Sequence, residues 1–328
     1  MRPEDIAIKI LEAEGLSYWT VHASGLPRSF SPLKAWQAAT NAVKGFGNSW
    51  QALKKWTPQT IVGMGSHISF PVVMAGKLRG IPVVLHEQNV IPGLTNRILA
   101  RWAEAVAVSF PESQATFGRK AVLTGNPIRK QFKNIPATAI GRKNFGLDEN
   151  TPTVLVFGGS LGAHVINEKL LQALRYLKQQ AGKIQFLHLA GPRDRMLLEE
   201  GYRRHNFRAC TLERTDQMAH AYAAADIVVS RSGATTIAEL VTVKKRALLI
   251  PYPHASENHQ TANALVLVKC GLAQLIEESN LDPQNLAAAI LKGTQNTHPS
   301  PSKHPVSVPD PLEAAEKLAD VVDKITLQ

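Results

Sequence analysis

Two glycine turns and two polar clusters carry the residue types that could do chemistry. The stretch "TVLVFGGSLGAHVINE" runs from Thr153 as an apolar, β-branched segment into Gly158-Gly159-Ser160-Leu161-Gly162, and a helical pattern follows at once. Strand, glycine turn and helix in that order aim free backbone N–H groups at an anion, so the chemistry is phosphate binding. Glycines in that place also serve tight helix packing with no ligand, and the motif alone leaves both readings open. A second stretch, "DIVVSRSGATTIAEL", repeats the arrangement through Ser232-Gly233 and a helix start at Ala234. Two helix N-termini on one sheet edge suit a diphosphate, each favouring a nearby anion by about 0.3–1 kcal/mol. Glu239, five residues beyond Ala234, either supports the helix start or accepts hydrogen bonds from sugar hydroxyls.

The polar clusters flank apolar strands. "PYPHASENHQTANAL" gathers Asn258, His259, Gln260 and Asn263, too many amides and imidazoles for an ordinary connection, although a helix cap explains one of them. "IPVVLHEQNVIPGLTNRIL" sets His86, Glu87, Gln88 and Asn89 directly after an apolar strand, at the end where open α/β sheets bind ligands. The competing reading has Glu87 capping the following helix and His86 bonded to backbone. "GMGSHISFP", Gly63 to Pro71, offers a further glycine turn before a helix.

Alternating elements must position these residues. Strand-like runs are expected at 17–22, 60–64, 82–85, 105–110, 121–124, 153–157, 184–189, 207–212, 226–230, 247–251 and 273–276. Helical patterns include 70–79, 94–102, 163–179, 218–224, 235–243 and 258–269, with a closing amphipathic helix after Pro311. Such alternation gives α/β folding with parallel sheets covered on both faces. The apolar rhythm breaks between Gly125 and Pro152, and Thr297 to Pro311 is a proline-rich connector. Two units sharing a cleft are expected: 1–126 with 312–328, and 127–311.

Composition narrows the partners. The chain has 328 residues, 44% hydrophobic and 19% charged, with a formal net charge of +11. That charge suits nucleic acid, anionic lipid or a phosphorylated substrate. Aromatics are only 6% and no RNP or zinc-finger pattern occurs, which argues against nucleic acid. Cys210 and Cys270 have no cluster of partner ligands, fit a reducing compartment, and are expected as buried small apolar residues. No apolar run reaches the roughly 18–20 residues of a membrane span. Pro32 to Trp56 mixes Trp36, Val43, Phe46, Trp50, Leu53 and Trp56 with Lys34, Lys44, Lys54 and Lys55, which reads as a surface helix pair resting on anionic lipid; the alternative is that these aromatics are core, and Trp36 taken alone is expected there.

Taken together, "GMGSHISFPVV", "IPVVLHEQNVIPGLTNR", "AVSFPES", "LTGNPIR", "VFGGSLGAHVINE", "RSGATTIAEL" and "PYPHASENHQTANA" resemble, in order, the MurG family of bacterial glycosyltransferases. The resemblance implies the GT-B architecture of two Rossmann-like domains, the second holding UDP-N-acetylglucosamine and the first the undecaprenyl-pyrophosphoryl-N-acetylmuramyl-pentapeptide acceptor, lipid I. By matching motifs it places Asn89, Arg129, Ser160, Ala234, Thr235, Thr236, Ile237, Ala238, Glu239 and Gln260 on donor-contact positions. Thr215 falls where a nucleotide-contacting apolar residue is usual. Arg129 and Ser160 would face the nucleotide or its phosphates, and Glu239 the ribose; His86, Glu87 and Gln88 would lie on the acceptor side. The implied reaction is inverting transfer without metal or cofactor, giving lipid II, and no Asp-x-Asp pattern is present. The implied setting is peripheral, on the cytoplasmic face of the inner membrane, with anionic lipids and cell-wall synthesis proteins as partners.

The likeness also has gaps. The family's opening strand and "GGTGGH"-type loop, which carries its proposed general base, have no counterpart here, since "MRPEDIAIKILEAEGL" resembles sequence that follows them. The first domain is therefore expected to lack its first strand and glycine loop, and the catalytic base is unassigned. An upstream start, a fragment and a degenerate copy that only binds UDP-sugar are the alternatives, alongside another GT-B enzyme such as a UDP-sugar epimerase. Ser66-His67 stand where a Gly-Tyr pair is usual, and Lys244-Lys245-Arg246 where a Gly-x-Pro turn is.

Overall fold

The computed structural model describes residues 6–21, 32–159, 162–295 and 308–327. The chain divides into two compact units. The first comprises Met1–Glu87, Pro92–Thr124 and Glu316–Gln328; the second comprises Gln88–Ile91 and Gly125–Ala315.

In the first unit four parallel strands lie in the order β1 (Ile61–Gly63), β2 (Val83–Glu87), β3 (Ala105–Val108), β4 (Ala121–Leu123). Their register pairs Gly63 with Leu85 and Glu87 with Val108. The helices are α1 (Ile6–Ala13), α2 (Pro32–Trp56), α3 (Ser66–Leu78), α4 (Leu94–Leu99) and α5 (Gln114–Phe117). One side of the sheet packs Val83, Leu85, Val106 and Val108 against Leu53, Val73 and Leu99. On the other side, Val84 and Ala105 meet Leu318, Val321, Val322 and Ile325 of the helix Ala314–Thr326.

Three expectations for this unit are corrected. Residues 17–21 form no strand, and His22 lies outside the described residues. Gly15, at φ 67°, ends α1, and Trp19 instead sets its ring edge-on to Trp56, 6.2 Å away, under the Lys55 ammonium. Those side-chain contacts replace the ladder that an alternating pattern alone suggests. Pro32 to Trp56 forms one helix of 25 residues rather than a pair. Phe46, Ser49 and Leu53 continue a single packed face past Gly45 and Gly47, and that packing outweighs the helix cost of about 1 kcal/mol per glycine. Finally, β2 continues two residues beyond Leu85, so His86 and Glu87 belong to the strand and are buried.

The second unit holds a six-stranded parallel sheet built from β5 (Thr153–Phe157), β6 (Gln185–Leu189), β7 (Arg208–Leu212), β8 (Ile227–Ser230), β9 (Arg246–Leu249) and β10 (Ala273–Leu275). Their order is β10-β9-β8-β5-β6-β7, the doubly wound arrangement that runs outward in both directions from a central pair. The helices are α6 (Thr138–Asn144), α7 (His164–Ala173), α8 (Arg195–Arg204), α9 (Met218–Ala224), α10 (Ala234–Val243), α11 (His259–Lys269) and α12 (Pro283–Gln295). Central strands covered on both faces must be apolar throughout. Val154, Leu155 and Val156 accordingly have no exposed surface, each such burial contributing about 1.5–3 kcal/mol. Cys270 is buried, but Cys210 is only half-buried because β7 is an edge strand.

A charged staple closes the edge of this sheet where the strands begin. Arg142 Nη2 lies 2.6 Å from Asp226 Oδ2, and its other nitrogens donate to the carbonyls of Ala224 at 3.2 Å and Glu149 at 2.8 Å. Asp226 Oδ2 also accepts the Thr153 N–H at 2.6 Å, tying the start of β5 to the start of β8.

Candidate functional site

The site is built at the opposite edge, where β5 and β8 end side by side. Phe157 is in register with Ser230, so both strands deliver their following turns to the same place. This is the switch point of the sheet, from which β6-β7 and β9-β10 run in opposite directions.

After β5 the chain turns through Gly158, Gly159 and Gly162; Ser160 and Leu161 lie outside the described residues. Gly162 holds φ 77°, and a Cβ there would stand 2.3 Å from the Ala190 carbonyl oxygen. A Cβ on Gly158 would stand 2.2 Å from that of Ala163. These glycines are therefore fixed by close approach of backbone to backbone, which brings α7 up to the strand end. His164 opens α7 with its Nδ1 3.0 Å from both carboxylate oxygens of Asp194. Behind it runs a buried relay. Asn167 Nδ2 donates to Asp194 Oδ2 and to the Ala190 carbonyl, both at 2.9 Å, while its Oδ1 accepts from His188 Nε2 at 3.0 Å. His188 Nδ1 in turn accepts the Tyr202 hydroxyl at 2.9 Å. Complete burial lowers the His188 pKa to about 3, so the ring is neutral.

After β8, Arg231 pairs with Glu278, donates to the carbonyls of Ile250 and Pro251, and lies 5.4 Å over the Tyr252 ring. Ser232 precedes the helix, and its buried hydroxyl makes no hydrogen bond among the described residues. Gly233 is the N-cap of α10, extended at φ −62°, with no side-chain capping bond. Thr235 is exposed and Thr236 half-buried, while Ala234, Ile237, Ala238 and Glu239 are buried. The uncapped N–H groups of the first turn are thus available to an anion.

Glu239 is 5% exposed and accepts the Tyr222 hydroxyl on Oε2 at 2.9 Å. Burial raises its pKa above the ordinary carboxyl value, against the opposing pulls of that hydrogen bond and of the Arg129 charge. Arg129 is exposed at the start of a short 3-10 turn, Lys130–Lys133, and its Nη1 reaches the Asp216 carbonyl at 3.4 Å. Gln131 fastens the same turn, donating to the Asp216 carbonyl at 2.9 Å and accepting the Ala219 N–H at 3.1 Å. Thr215 adjoins it, half-buried, and its hydroxyl accepts the Gln217 N–H at 3.1 Å.

The amide cluster has a structural task. Gln260 Oε1 accepts the N–H groups of Tyr252 at 2.9 Å and Ser232 at 3.4 Å, holding the exits of β8 and β9 together. Asn263 is fully buried, donates to Asn89 Oδ1 at 3.0 Å and to the Ser232 carbonyl at 3.3 Å, and accepts the Val90 N–H at 3.0 Å. Residues 88–91 are thereby fastened beside the α10 turn within the second unit.

In the first unit, Glu87 Oε2 accepts the Gly93 N–H at 3.0 Å and Asn96 Nδ2 at 2.9 Å, and the His86 carbonyl accepts Asn96 Nδ2 at 3.1 Å. These bonds fit the capping alternative for Glu87, whereas Gln88 is half-buried just past the strand. Ser66 adopts φ 65°, the left-handed region, at the start of α3, and His67 is exposed beside it. On α2, Trp36 is 67% and Val43 73% exposed, with Lys44, Lys54 and Lys55 also exposed, while Leu53 is in the core. Tyr222 and the Asn167–His188–Asp194 relay escaped sequence reasoning, and only their polar type within apolar runs hinted at them.

Comparison with known proteins follows the same division. Family models described as the glycosyltransferase family 28 C-terminal and N-terminal domains match residues 153–324 and 2–108. A protein of Myxococcus xanthus named UDP-N-acetylglucosamine--N-acetylmuramyl-(pentapeptide) pyrophosphoryl-undecaprenol N-acetylglucosamine transferase is 39% identical, over 98% of this chain and 83% of its own. A protein of the same name from Syntrophotalea carbinolica is 37% identical, over 84% of this chain and 80% of its own. Among solved structures, that of Acinetobacter baumannii MurG matches with a TM-score of 0.70 at 24% identity, covering 99% of this chain and 89% of the other. That last likeness speaks to the fold: GT-B, with two Rossmann-like parallel-sheet domains.

Proposed function

The chain belongs to glycosyltransferase family 28 and, within it, to the MurG family, and from that membership we propose how its residues perform the reaction. It moves N-acetylglucosamine from UDP-N-acetylglucosamine to undecaprenyl-pyrophosphoryl-N-acetylmuramyl-pentapeptide, in peptidoglycan synthesis. The transferase names of relatives at 37–39% identity favour this over a UDP-sugar epimerase.

The second unit, Gln88–Ile91 with Gly125–Ala315, is the donor domain. The observation that carries this reading is the pair of turns leaving adjacent, in-register strands β5 and β8, one built on close-packed glycines and the other opening an uncapped α10. The diphosphate lies against the helix starts of α7 and α10 and the Arg129 guanidinium; Glu239 takes ribose hydroxyls, and Gln260 and Asn89 line the sugar side. As the acceptor 4-oxygen bonds to the anomeric carbon with inversion, the bond from that carbon to the diphosphate breaks and the acceptor proton passes to a base. Negative charge accumulates on departing UDP, where helix dipoles and Arg129 stabilise it; preorganised donors of this kind are each worth about 2.7–4 kcal/mol. The first unit forms the acceptor side, bearing His86 and Glu87, with Gln88 next in the chain. The exposed aromatic and basic surface of α2 rests on anionic lipid at the cytoplasmic face.

Transfer of radiolabelled sugar from UDP-N-acetylglucosamine to a lipid I analogue tests the reading. Incorporation that falls at least a hundredfold on Arg129→Ala is expected; labelled donor left wholly unconsumed by the unaltered chain refutes it.

A further inference from the structure

Tyr222 is remote from the reacting atoms, yet it touches three of the elements that compose the donor site. Its ring is fully buried between Phe132, centroids 5.8 Å apart, and Phe157, 5.9 Å away and edge-on. Phe132 belongs to the turn that follows Arg129, and Phe157 is the last residue of β5 before the glycine turn. Its hydroxyl donates to Glu239 Oε2 on α10 at 2.9 Å. One side chain on α9 thus indexes the arginine turn, the glycine turn and the α10 carboxylate against one another.

We propose that Tyr222 is a positioning residue of the donor site, its wedged ring and hydroxyl holding Glu239 so that one carboxylate oxygen remains for the ribose of a uridine diphosphate. The inference rests on the donor-site reading and extends it to a residue that touches no substrate. The bonding pattern supports it: Oε2 takes the phenol, and no group among the described residues bonds Oε1. A buried phenol needs a partner, so the ring cannot turn away without leaving both groups unpaired.

The electrostatics give a distinguishing signature. The ionisable groups acting on Glu239 are Tyr222 from α9 and Arg129 from the preceding loop, and both favour its ionised form against burial. The Tyr222 pKa is itself driven well upward by burial, so the phenol stays protonated as a donor. Removing the hydroxyl lets the Glu239 pKa rise further. Ribose binding by the carboxylate is then lost as pH falls through that raised value and regained above it.

The test is calorimetric titration of the full chain with UDP and with 2′-deoxy-UDP between pH 6 and 9, for the unaltered protein, Tyr222→Phe and Glu239→Gln. The inference expects Tyr222→Phe to weaken UDP binding about tenfold at pH 7, a loss typical of one charge-assisted hydrogen bond. It also expects the loss to shrink as pH rises and the preference for UDP over the deoxy analogue to narrow. A Tyr222→Phe protein that binds both ligands as before, or loses both equally at every pH, overturns it. If Tyr222→Phe does not fold, Phe157→Leu carries the test: it keeps the phenol, loosens the ring, and should narrow the same preference; an unchanged preference overturns the inference. Failure of the underlying reading looks different, namely no UDP binding by the unaltered chain or full UDP affinity in Glu239→Gln, and either result removes this inference too.

Discussion

Replacing Asn263 with alanine removes three hydrogen bonds at once from a side chain that has no exposed surface. Two of them are 3.0 Å long, to the Val90 N–H and Asn89 Oδ1, and the third is a longer 3.3 Å contact to the Ser232 carbonyl. A buried polar group left without its partner costs about 1–3 kcal/mol. Val90 and Asn89 are half-buried and recover part of that from water, whereas the Ser232 region is buried. The expected cost is therefore about 2–4 kcal/mol, concentrated where residues 88–91 meet the α10 turn. Asn263→Asp should cost more at neutral pH, because a carboxylate can still accept from Val90 but faces two oxygens that need a donor. Amide hydrogen exchange is the suitable assay, since a chain of two units need not unfold in one step. Val90 should exchange about 30-fold or more faster in Asn263→Ala, the factor that corresponds to 2 kcal/mol. UDP-N-acetylglucosamine should bind more weakly because Asn89 loses its hydrogen bond to Asn263. Unchanged Val90 exchange together with an unfolding midpoint equal to that of the unaltered protein would refute the reasoning.

Other consequences can be checked independently. His188 has a folded pKa of about 3, below its unfolded value near 6.5, so the unfolded chain binds the extra proton between those limits. Stability should thus fall as pH drops below about 6.5, by up to roughly 1.4 kcal/mol per pH unit, and His188→Gln should flatten that slope in chemical denaturation. Ser66 sits at φ 65° on an exposed turn, so Ser66→Gly should stabilise the protein by about 1 kcal/mol; a lowered thermal midpoint would contradict the assignment of strain. Replacing Trp36 and Val43 together with serine should leave stability within about 0.5 kcal/mol, since both are exposed. The same pair should reduce co-sedimentation with phosphatidylglycerol vesicles about tenfold or more, because burying either side chain in lipid contributes about 1.5–3 kcal/mol.

Much of the donor unit can be read from the chain because its signals are local. An uninterrupted β-branched run followed by glycines marks β5 and its turn, and the same logic marks β8 and the start of α10. The elements that misled have non-local causes. Residues 17–21 alternate like a strand but pack their indole against Trp56, a contact separated by much of α2. The glycines of α2 look like breaks, yet the packed face formed with Phe46 and Leu53 carries the helix through them. Glu87 differs from these, since the sequence leaves a ligand-facing and a capping role both open, and its hydrogen bonds to Gly93 and Asn96 depend on how the following loop folds back. Tyr222 and His188 stand in apolar runs where period-based reasoning assigns only packing, and their partners Glu239 and Asn167 are brought to them by tertiary structure. Chemistry that depends on a partner many residues away leaves no periodic trace.

The central claim is that the turns after β5 and β8 together grip UDP. Hydrogen exchange of the full chain with and without saturating UDP measures this directly, amide by amide. Slowed exchange at residues 158–164 and 232–239, abolished by Gly162→Ala, is the expected result. Slowed exchange elsewhere with these two turns unaffected, in a protein shown by calorimetry to bind UDP, would contradict it.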